Sequence, residues 1–256
     1  MTEDPRKTFS KSARRYLEST DHSIGVDLER IRSSASDILP SATLDVATGA
    51  GFALRAAAPF SAHCIALDLT LEMLEVAREH LGGLGLDHVS YLVARSHDLP
   101  IKERTIDLLT CRIACHHFAD IPGFLAEAGR VLSRGGRLII IDSVVPDEEE
   151  AGDFLNRIEK IRDPSHIRSL TLRRWGELFN GAGFELNREE TFFRVHSFRE
   201  WADRVGLSGG RRRELEEGFR SASDEIKKTF RIEINWDEEI LSYTDTKAIF
   251  ILTKEN

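Results

Sequence analysis

A glycine-rich turn between two acidic residues is the part of this sequence best suited to chemistry. Residues 44–51 read Leu-Asp-Val-Ala-Thr-Gly-Ala-Gly, and Asp68 ends the next apolar run, 19 positions after Gly49. Glycine lets the backbone approach a ligand without a Cβ in the way, and a second carboxylate at this spacing accepts hydrogen bonds from ribose hydroxyls. The pattern predicts a site for an adenosine-containing cofactor at the carboxyl edge of a parallel sheet.

The residues around the turn distinguish between two classes of cofactor. A dinucleotide-binding loop has a small residue three positions after its second glycine, for close helix–strand packing, but Leu54 stands there. Asp45 precedes the turn, where a carboxylate would repel a pyrophosphate and would suit an ammonium group. S-adenosylmethionine has an α-ammonium, a sulfonium and no phosphate. The turn therefore favours this methyl donor over a nicotinamide cofactor.

Three histidines are candidate proton acceptors. His116 and His117 follow the predicted fourth strand, at the edge where ligands bind in open α/β sheets, and histidine is the usual base near neutral pH. His166 follows Pro164 in a loop that would overhang an acceptor. Each histidine also has a structural alternative. One of His116 and His117 would pack under the following helix and the other would form a loop hydrogen bond. His166 would belong to a helix cap in which Ser165 is the cap residue.

Other polar residues near the same edge have two interpretations. Asp142, at the end of the predicted fifth strand, would point into the acceptor pocket or make a strand-end hydrogen bond. Cys111 and Cys115 could join the first two histidines in a zinc site, but thiols on a strand and on the following loop need not converge. We therefore predict no metal.

Aromatic side chains of the C-terminal half either line an apolar acceptor pocket or belong to the core, and core is the expected role for most of them. They are Phe192, Phe193, Phe198, Trp201 and Trp236.

The composition restricts the classes of protein to consider. The 256 residues are 41% hydrophobic, enough for one large α/β domain. The net charge of −8 argues against a general nucleic-acid binder. No apolar run approaches the roughly 18 residues of a membrane span, and the N-terminus has no secretory signal pattern. With three cysteines and no disulfide framework, we predict a cytoplasmic protein, a monomer or a homodimer.

Apolar strands alternating with amphipathic helices would position these residues. We expect a Rossmann-like α/β fold with a seven-stranded, mostly parallel sheet, helices on both faces and a small helical lid insertion. The predicted strands span 43–47, 63–67, 89–93, 106–111, 137–141, 184–195 and 245–253. The predicted helices span 52–58, 71–81, 121–132, 148–161 and 171–180.

Several segments, taken in order, resemble the class I S-adenosylmethionine-dependent methyltransferases. The resemblance is closest to the small-molecule branch (methyltransferase type 11) that includes the ubiquinone and menaquinone biosynthesis methyltransferases. Residues 44–51 resemble the first motif of that family and 66–74 (Ala-Leu-Asp-Leu-Thr-Leu-Glu-Met-Leu) the second. The remaining matches are Leu-Pro-Ile-Lys at 99–102, Thr-Ile-Asp at 105–107, His-His-Phe at 116–118 and Val-Leu-Ser-Arg-Gly-Gly at 131–136.

The resemblance implies contacts with the methionine part of the cofactor. The residues implied are Asp45, Ala47, Gly49 and Gly51. Arg112, after the fourth strand, would approach the amino-acid end. Phe9 and Tyr16, on a first helix, would close over the site. The family often has glycine where Ala47 stands, and alanine is a small change.

The resemblance also implies the ribose and adenine contacts. Asp68 would hold the ribose, Leu69 and Met73 would flank the adenine, and Ser96 would border the ring edge. The family often has aspartate where Arg95 stands. Because arginine has no hydrogen-bond acceptor, the contact to the adenine amino group must be lost or supplied elsewhere, for example by Asp98.

The domain organisation follows from the same reading. We expect an N-terminal helical cap over residues 1–40 and a methyltransferase domain over 41–256. The segment at about 197–241 would form the lid, because its apolar content looks too thin for an independent domain.

The predicted function is methyl transfer from S-adenosylmethionine to a small-molecule or lipophilic acceptor, with release of S-adenosylhomocysteine. Two other functions stay open at this stage. One is an NAD(P)-dependent oxidoreductase, and the other is a non-catalytic protein that binds S-adenosylmethionine.

Overall fold

One mixed β-sheet forms the centre of the molecule. The computed structural model describes residues 25–254. Its strands are β1 (Ala42–Val46), β2 (His63–Asp68), β3 (Val89–Val93), β4 (Ile106–Arg112), β5 (Leu132–Val144), β6 (Phe184–Ser197), β7 (Glu233–Ile234) and β8 (Ile240–Lys254).

The strand order is β3-β2-β1-β4-β5-β8-β6, and the short β7 pairs with β8. The first five strands are parallel, and β8 runs antiparallel between β5 and β6. The order reverses between β1 and β4, and ligands of open α/β sheets bind outside the carboxyl ends of the strands at such a point. The predicted mostly parallel, Rossmann-like sheet is confirmed, with β7 as an added eighth strand.

Helices cover the sheet. They are α1 (Val26–Ile38), α2 (Phe52–Ala57), α3 (Leu71–Gly83), α4 (Ile121–Val131), α5 (Glu149–Arg162), α6 (Leu172–Gly181), α7 (Phe198–Arg204), α8 (Gly209–Arg220) and α9 (Asp224–Thr229). One short 3₁₀ turn (Ala58–Phe60) follows α2, and another (Cys115–His117) follows β4. Among the residues described, no helix is long and apolar enough to cross a bilayer.

The apolar residues of β5 show why this strand is buried on both faces. Leu138 and Ile140 belong to the hydrophobic cluster on one side of the sheet, and Ile139 and Ile141 to the cluster on the other. Successive side chains of a strand point to opposite faces. A run that is apolar at every position therefore fits a central strand covered on both sides.

Two element boundaries differ from the sequence prediction. Residues 133–136, between the predicted helix at 121–132 and the predicted strand at 137–141, lie within β5, because Leu132 already pairs with Ile106 before the register shifts. Gly135 adopts a φ of 71° there, which suits a bulge. Helix α3 continues through Gly82 and Gly83, beyond the predicted end at residue 81, and its first residue, Leu71, is exposed.

The segment after β5 contains more apolar core than the sequence suggested. Helices α5, α7, α8 and α9 and the start of β8 enclose a third hydrophobic cluster, which includes Phe154, Trp201, Phe219 and Tyr243. The segment at 197–241 thus contributes buried residues such as Trp201 and Phe219 to a cluster that it shares with α5 and β8. The lid role of this segment and the domain boundaries stay predictions. Of the predicted N-terminal cap at 1–40, the structure describes residues 25–40, which include α1.

Candidate active site

A cavity of about 400 Å³ lies at the carboxyl edge of the sheet, beside the reversal of strand order. Its walls come from the turn after β1, the end of β2, the loop after β3 and the segment after β4. Cofactor and small-molecule sites in proteins typically enclose about 300–1,000 Å³. The cavity therefore has the size and the position of a ligand site.

Most of the residues predicted to bind a cofactor line this cavity. They are Asp45, Ala47, Gly49, Asp68, Leu69, Met73, Ser96 and Arg112. Gly51 is not among the lining residues. The predicted contacts from Phe9 and Tyr16 lie outside the described residues.

The turn after β1 has left-handed backbone at alternate positions. Ala47, Gly49 and Gly51 have φ of 56°, 55° and 82°. Gly49 lines the cavity, and a Cβ placed on it would meet no atom within 4 Å. A side chain there would therefore extend into open space that a ligand would otherwise fill. At Ala47, by contrast, a residue with a Cβ holds the left-handed conformation, at a cost of roughly 1–2 kcal/mol.

Gly51 has a packing role that the sequence did not reveal. A Cβ on it would lie 3.0 Å from the Cδ1 atom of Leu81, on α3. Glycine at this position lets the start of α2 sit close to α3. The requirement for glycine here is explained by this packing, and the cofactor contact predicted for Gly51 stays a prediction.

Asp68 joins the ends of the first two strands. Its Oδ2 accepts a hydrogen bond from the Gly49 amide at 3.0 Å, and its Oδ1 accepts one from the Thr70 amide at 2.9 Å. Burial raises the pKa of Asp68 against the lowering effect of these bonds. Each carboxylate oxygen can accept a further hydrogen bond, so the side chain both shapes the turn and keeps acceptor capacity beside the cavity.

Asp45 is held by two hydroxyl groups. Thr48 donates to one of its oxygens at 2.7 Å and Thr110 to the other at 2.6 Å. Burial raises the pKa of Asp45 to about 6, although both hydroxyls and the charge of Arg112 lower it. A cationic group in the cavity would favour the ionised carboxylate.

Arg112 is oriented from behind by a buried carboxylate. Its Nε donates to Oδ2 of Asp27, in the first turn of α1, at 2.6 Å. The side chains are 6% and 0% exposed, and Asp27 does not line the cavity. This pair fixes the guanidinium at the cavity wall, at the predicted amino-acid end of the cofactor.

The opposite end of the cavity is formed by the loop after β3. Arg95, Ser96 and His97 line it, whereas Asp98 does not. The suggestion that Asp98 replaces the acidic adenine contact therefore has no support in the geometry. Ala94 and His97 are lining residues of this loop that the sequence reasoning did not name.

Three histidines form a cluster next to the cavity. The ring centroids of His116 and His117 are 4.2 Å apart, and that of His166 is 5.4 Å from His116. The predicted strand-end carboxylate, Asp142, accepts from both the backbone amide (3.0 Å) and Nδ1 (2.6 Å) of His116. Burial lowers the pKa of His116, but the charge and hydrogen bond of Asp142 outweigh it and leave the pKa raised. His116 and Asp142 thus form a buried hydrogen-bonded pair in which the carboxylate favours the protonated imidazole.

His117 is the member of the cluster that lines the cavity, together with Ser165. The Ser165 hydroxyl lies 3.1 Å from Nδ1 of His117 and donates to Oδ1 of Asp163 at 2.6 Å. Burial and the adjacent charge of His116 lower the pKa of His117 to about 4. The imidazole is therefore neutral at pH 7 and able to accept a proton.

Comparison with known proteins decides what kind of site this is. A model of the methyltransferase domain family matches residues 44–140. The uncharacterized methyltransferase YcgJ of Bacillus subtilis strain 168 is 30% identical over 243 residues, which cover 95% of this chain and 96% of the relative. The chain belongs to the methyltransferase family.

Two further relatives agree with this assignment. The crystal structure of a Bacillus halodurans C-125 protein, provisionally described as a methyltransferase, superposes with a TM-score of 0.87 at 33% identity and covers 91% of this chain and 100% of its own. The demethylmenaquinone methyltransferase of Thermotoga maritima is 27% identical over 216 residues, 74% of this chain and 91% of the relative. The predicted S-adenosylmethionine-dependent methyltransferase is confirmed, and the oxidoreductase and the non-catalytic binding protein are set aside.

His166 does not reach the methyltransferase cavity. It is 1% exposed, its Nε2 donates to Oδ1 of Asn156 at 2.9 Å, and it is not a lining residue. The turn after α5 is closed by Asp163, which accepts from the Ser165 amide at 2.8 Å. This turn directs Ser165 to the cavity and His166 into the interior, so the expected substrate contact and the expected helix cap at His166 are both absent here.

The thiols of Cys111 and Cys115, which the sequence did not require to converge, lie side by side. The Sγ atoms of Cys111 and Cys115 are 3.5 Å apart, and both residues are fully buried. Burial raises the pKa of both thiols. Within residues 25–254, no group of three or more His, Cys, Asp or Glu side chains is arranged to hold a metal ion.

The aromatic residues considered for an acceptor pocket separate into core and surface. Phe198 and Trp201 are buried in the third cluster, whereas Phe193 and Trp236 are 63% and 91% exposed. Neither these residues nor Phe192 line the 400 Å³ cavity. Phe192 is partly buried against the second hydrophobic cluster, so the expected core role holds for three of the five residues and not for Phe193 and Trp236.

Proposed function

We propose that this methyltransferase methylates a small-molecule acceptor that enters its cavity on the side of His117 and Ser165. One observation carries the proposal: the turn and carboxylates predicted to hold the methyl donor line the same cavity as His117. The donor and a proton acceptor are thereby brought to one space, at the edge of the sheet where ligands bind.

The residues present fit the donor at each of its polar groups. Gly49 leaves open space beside the turn, and Asp68 has remaining acceptor capacity for ribose hydroxyls. Asp45 is a buried carboxylate whose ionised form a cation would stabilise. We assign Leu69 and Met73 to the flanks of the adenine, Ser96 to its edge and Arg112 to the carboxylate of the amino-acid end.

The sulfonium supplies a methyl group that is already activated, so that an acceptor lone pair forms the new bond while sulfur keeps the electrons of the broken carbon–sulfur bond. The protein's own task is to align the acceptor and exclude water. Alignment of this kind contributes on the order of 7–11 kcal/mol in well-oriented models. Buried groups such as Asp45, Thr110 and Arg112 give the cavity wall the fixed geometry that alignment requires.

His117 is the candidate for proton acceptance where the acceptor must lose a proton. It faces the cavity, it is neutral at pH 7, and the Ser165 hydroxyl between it and Asp163 fixes its ring. We assign His116 a positioning role, because Asp142 engages both its Nδ1 and its amide. His166 packs behind this pair through Asn156 and is given no chemical role.

We extend the proposal to the setting of the enzyme. The three cysteines are all buried and free, which suits a reducing cytoplasm. A net charge of −8 disfavours a nucleic-acid partner. We keep the prediction of a monomer or a homodimer, which size-exclusion chromatography with light scattering distinguishes.

Release of S-adenosylhomocysteine tests the proposed function. The enzyme is incubated with S-adenosylmethionine and a metabolite extract, and S-adenosylhomocysteine and methylated products are followed by mass spectrometry. We expect product of small-molecule mass that gains one methyl group. Production of S-adenosylhomocysteine only with protein or RNA fractions, after small molecules are removed, would contradict the proposal.

A further inference from the structure

A second, smaller cavity adjoins the donor cavity. It encloses about 80 Å³ and lies between the ends of β4 and β5, helix α5, helix α7 and the neighbouring parts of β6 and β8. The two cavities share Arg112, Ile113 and His117 in their walls. Because His117 belongs to both walls, a molecule placed for methylation beside it would also lie next to the smaller cavity.

The wall of the second cavity is rich in cations. The permanently charged residues are Arg112, Arg162, Arg194, Arg204 and Lys247. Two carboxylates, Glu159 and Asp163, also line it. The cations come from five elements of the fold, so this concentration of positive charge is a product of the tertiary structure and not of a basic segment in the sequence.

Buried carboxylates outside the cavity hold three of these cations. Asp27 contacts Arg112 at 2.6 Å and Arg194 at 3.8 Å. Asp245 contacts Lys247 at 2.7 Å, and Lys247 also donates to Ser143 at 2.6 Å. Asp27 and Asp245 are at most 1% exposed and do not line the cavity. These two acids thus lie behind Arg112, Arg194 and Lys247, whereas Glu159, which pairs with Arg162 at 2.9 Å, lies in the wall itself.

A buried histidine of the same wall also indicates a ligand. His196 is 5% exposed, and among the described residues its Nδ1 has no hydrogen-bond partner. Its Nε2 lies 3.1 Å from Oδ1 of Asp245, and this interaction helps to lower the pKa of that carboxyl, so Nδ1 is the ring atom that lacks a partner. Buried polar atoms are nearly always satisfied. A hydrogen-bonding atom of a ligand inside this cavity would supply the partner that Nδ1 of His196 lacks.

We propose that the second cavity binds an anionic group of the methyl acceptor, a carboxylate or a phosphate, so that the substrate is a small anionic molecule. This rests on the proposed function. Guanidinium groups present a planar fork of donors that matches both anions, and charge-assisted hydrogen bonds strengthen away from bulk water. The anion anchors one end of the acceptor in the cationic cavity and leaves its methylated atom beside His117.

Anion binding is measured directly on the complex of the enzyme with S-adenosylhomocysteine. Inorganic phosphate and acetate are titrated separately at constant ionic strength, and the Nε signals of the arginines are followed by NMR. We expect saturable binding of at least one anion with shifts at Arg194 and Arg204. A preference for phosphate or for acetate then distinguishes a phosphorylated acceptor from a carboxylic acid.

Two substitutions on one helix give a matched comparison. Arg204 lines the cavity, whereas Arg199, on the same helix, is 86% exposed. We expect Arg204→Gln to weaken anion binding about tenfold, the loss of one charge-assisted hydrogen bond, and Arg199→Gln to leave it unchanged. S-adenosylhomocysteine binding reports that each variant is folded.

The outcomes separate this inference from the proposed function. If wild-type complex shows no saturable anion binding, or if both substitutions weaken it equally, the anion site is overturned while the donor site stands. If S-adenosylhomocysteine itself does not bind, that result contradicts the proposed function, on which the anion site rests. In the acceptor screen, acids should be methylated in preference to their neutral methyl esters, and the reverse preference also overturns the inference.

Discussion

The carboxylate of Asp68 accepts a hydrogen bond from the backbone amide of Gly49 at 3.0 Å. The two residues belong to different strand–turn units, so this contact joins the glycine turn after β1 to the end of β2. It positions a charged acceptor beside open space above Gly49. The donor requires space beside the backbone of the glycine turn and an acceptor for its ribose hydroxyls. This one contact between Asp68 and Gly49 therefore links both features.

Replacement of Asp68 by alanine is expected to weaken S-adenosylhomocysteine binding by about 10- to 100-fold, because the ribose loses a charged acceptor. Isothermal titration measures the affinity, and thermal unfolding verifies the fold. Glu72→Gln, an exposed acidic position in the first turn of α3, serves as the control and should bind normally. Unchanged affinity in a folded Asp68→Ala variant would show that the ribose lies elsewhere.

Alanine at Gly49 and at Gly51 should have opposite consequences. Gly49→Ala places a methyl group in the cavity, so we expect reduced cofactor affinity with a modest loss of stability. Gly51→Ala brings its Cβ to 3.0 Å from Leu81, and overpacking of this kind costs about 1–3 kcal/mol of unfolding free energy. Denaturant unfolding and cofactor titration on both variants check this. Equal losses of affinity would contradict the separate roles.

Cofactor binding should weaken at acidic pH through Asp45. Burial raises its pKa to about 6, so below that pH the carboxyl must lose a proton before it can face an ammonium group. We expect the association constant of S-adenosylhomocysteine to fall about tenfold from pH 7 to pH 5. Asp45→Asn should retain a smaller slope, from Asp68, whose pKa burial also raises. An identical slope in the variant would exclude Asp45 as the cause.

The buried pair of Asp27 and Arg112 should be important for stability. Asp27→Ala leaves Arg112, with a side chain 6% exposed, without its main counter-charge, and breaking a buried ion pair typically costs about 3–5 kcal/mol. Denaturant unfolding gives the change in free energy. Glu190→Ala, which breaks the more exposed pair with Arg30, should cost much less. A loss for Asp27→Ala no larger than for the control would argue against this role.

His117→Gln should lower kcat by at least about 100-fold for an acceptor that must lose a proton, with S-adenosylhomocysteine affinity unchanged. Because the pKa of His117 is about 4, its imidazole stays in the basic form from pH 8 to pH 6, and kcat should not fall over that range on its account. His63→Gln, at an exposed position, is the control. A normal kcat in His117→Gln would remove the proposed base.

Local patterns predicted the parallel half of the fold well. Strand β3 has the predicted bounds, and β1 and β2 differ from them by one residue, because apolar runs between glycine-rich turns are strong local signals. Asp45 and Asp68 were placed at the cavity for the same reason: a motif with fixed spacing has its geometry built into the adjacent turn.

Contacts between distant segments could not be predicted in this way. The role of Gly51 depends on Leu81, and Arg112 is oriented by Asp27, 85 positions earlier. His166 was misplaced because a single turn at Asp163 decides whether Ser165 or His166 faces the cavity. Thr48, inside the recognised motif, could have been identified, since a hydroxyl three residues after a buried aspartate can bond to it.

Direct titration of the enzyme with S-adenosylhomocysteine and, separately, with NADH tests the central claim that this cavity holds the methyl donor. The account predicts saturable binding of S-adenosylhomocysteine at one site per chain, weakened by Asp68→Ala, and no comparable binding of NADH. Tight NADH binding in the absence of any S-adenosylhomocysteine binding would contradict it.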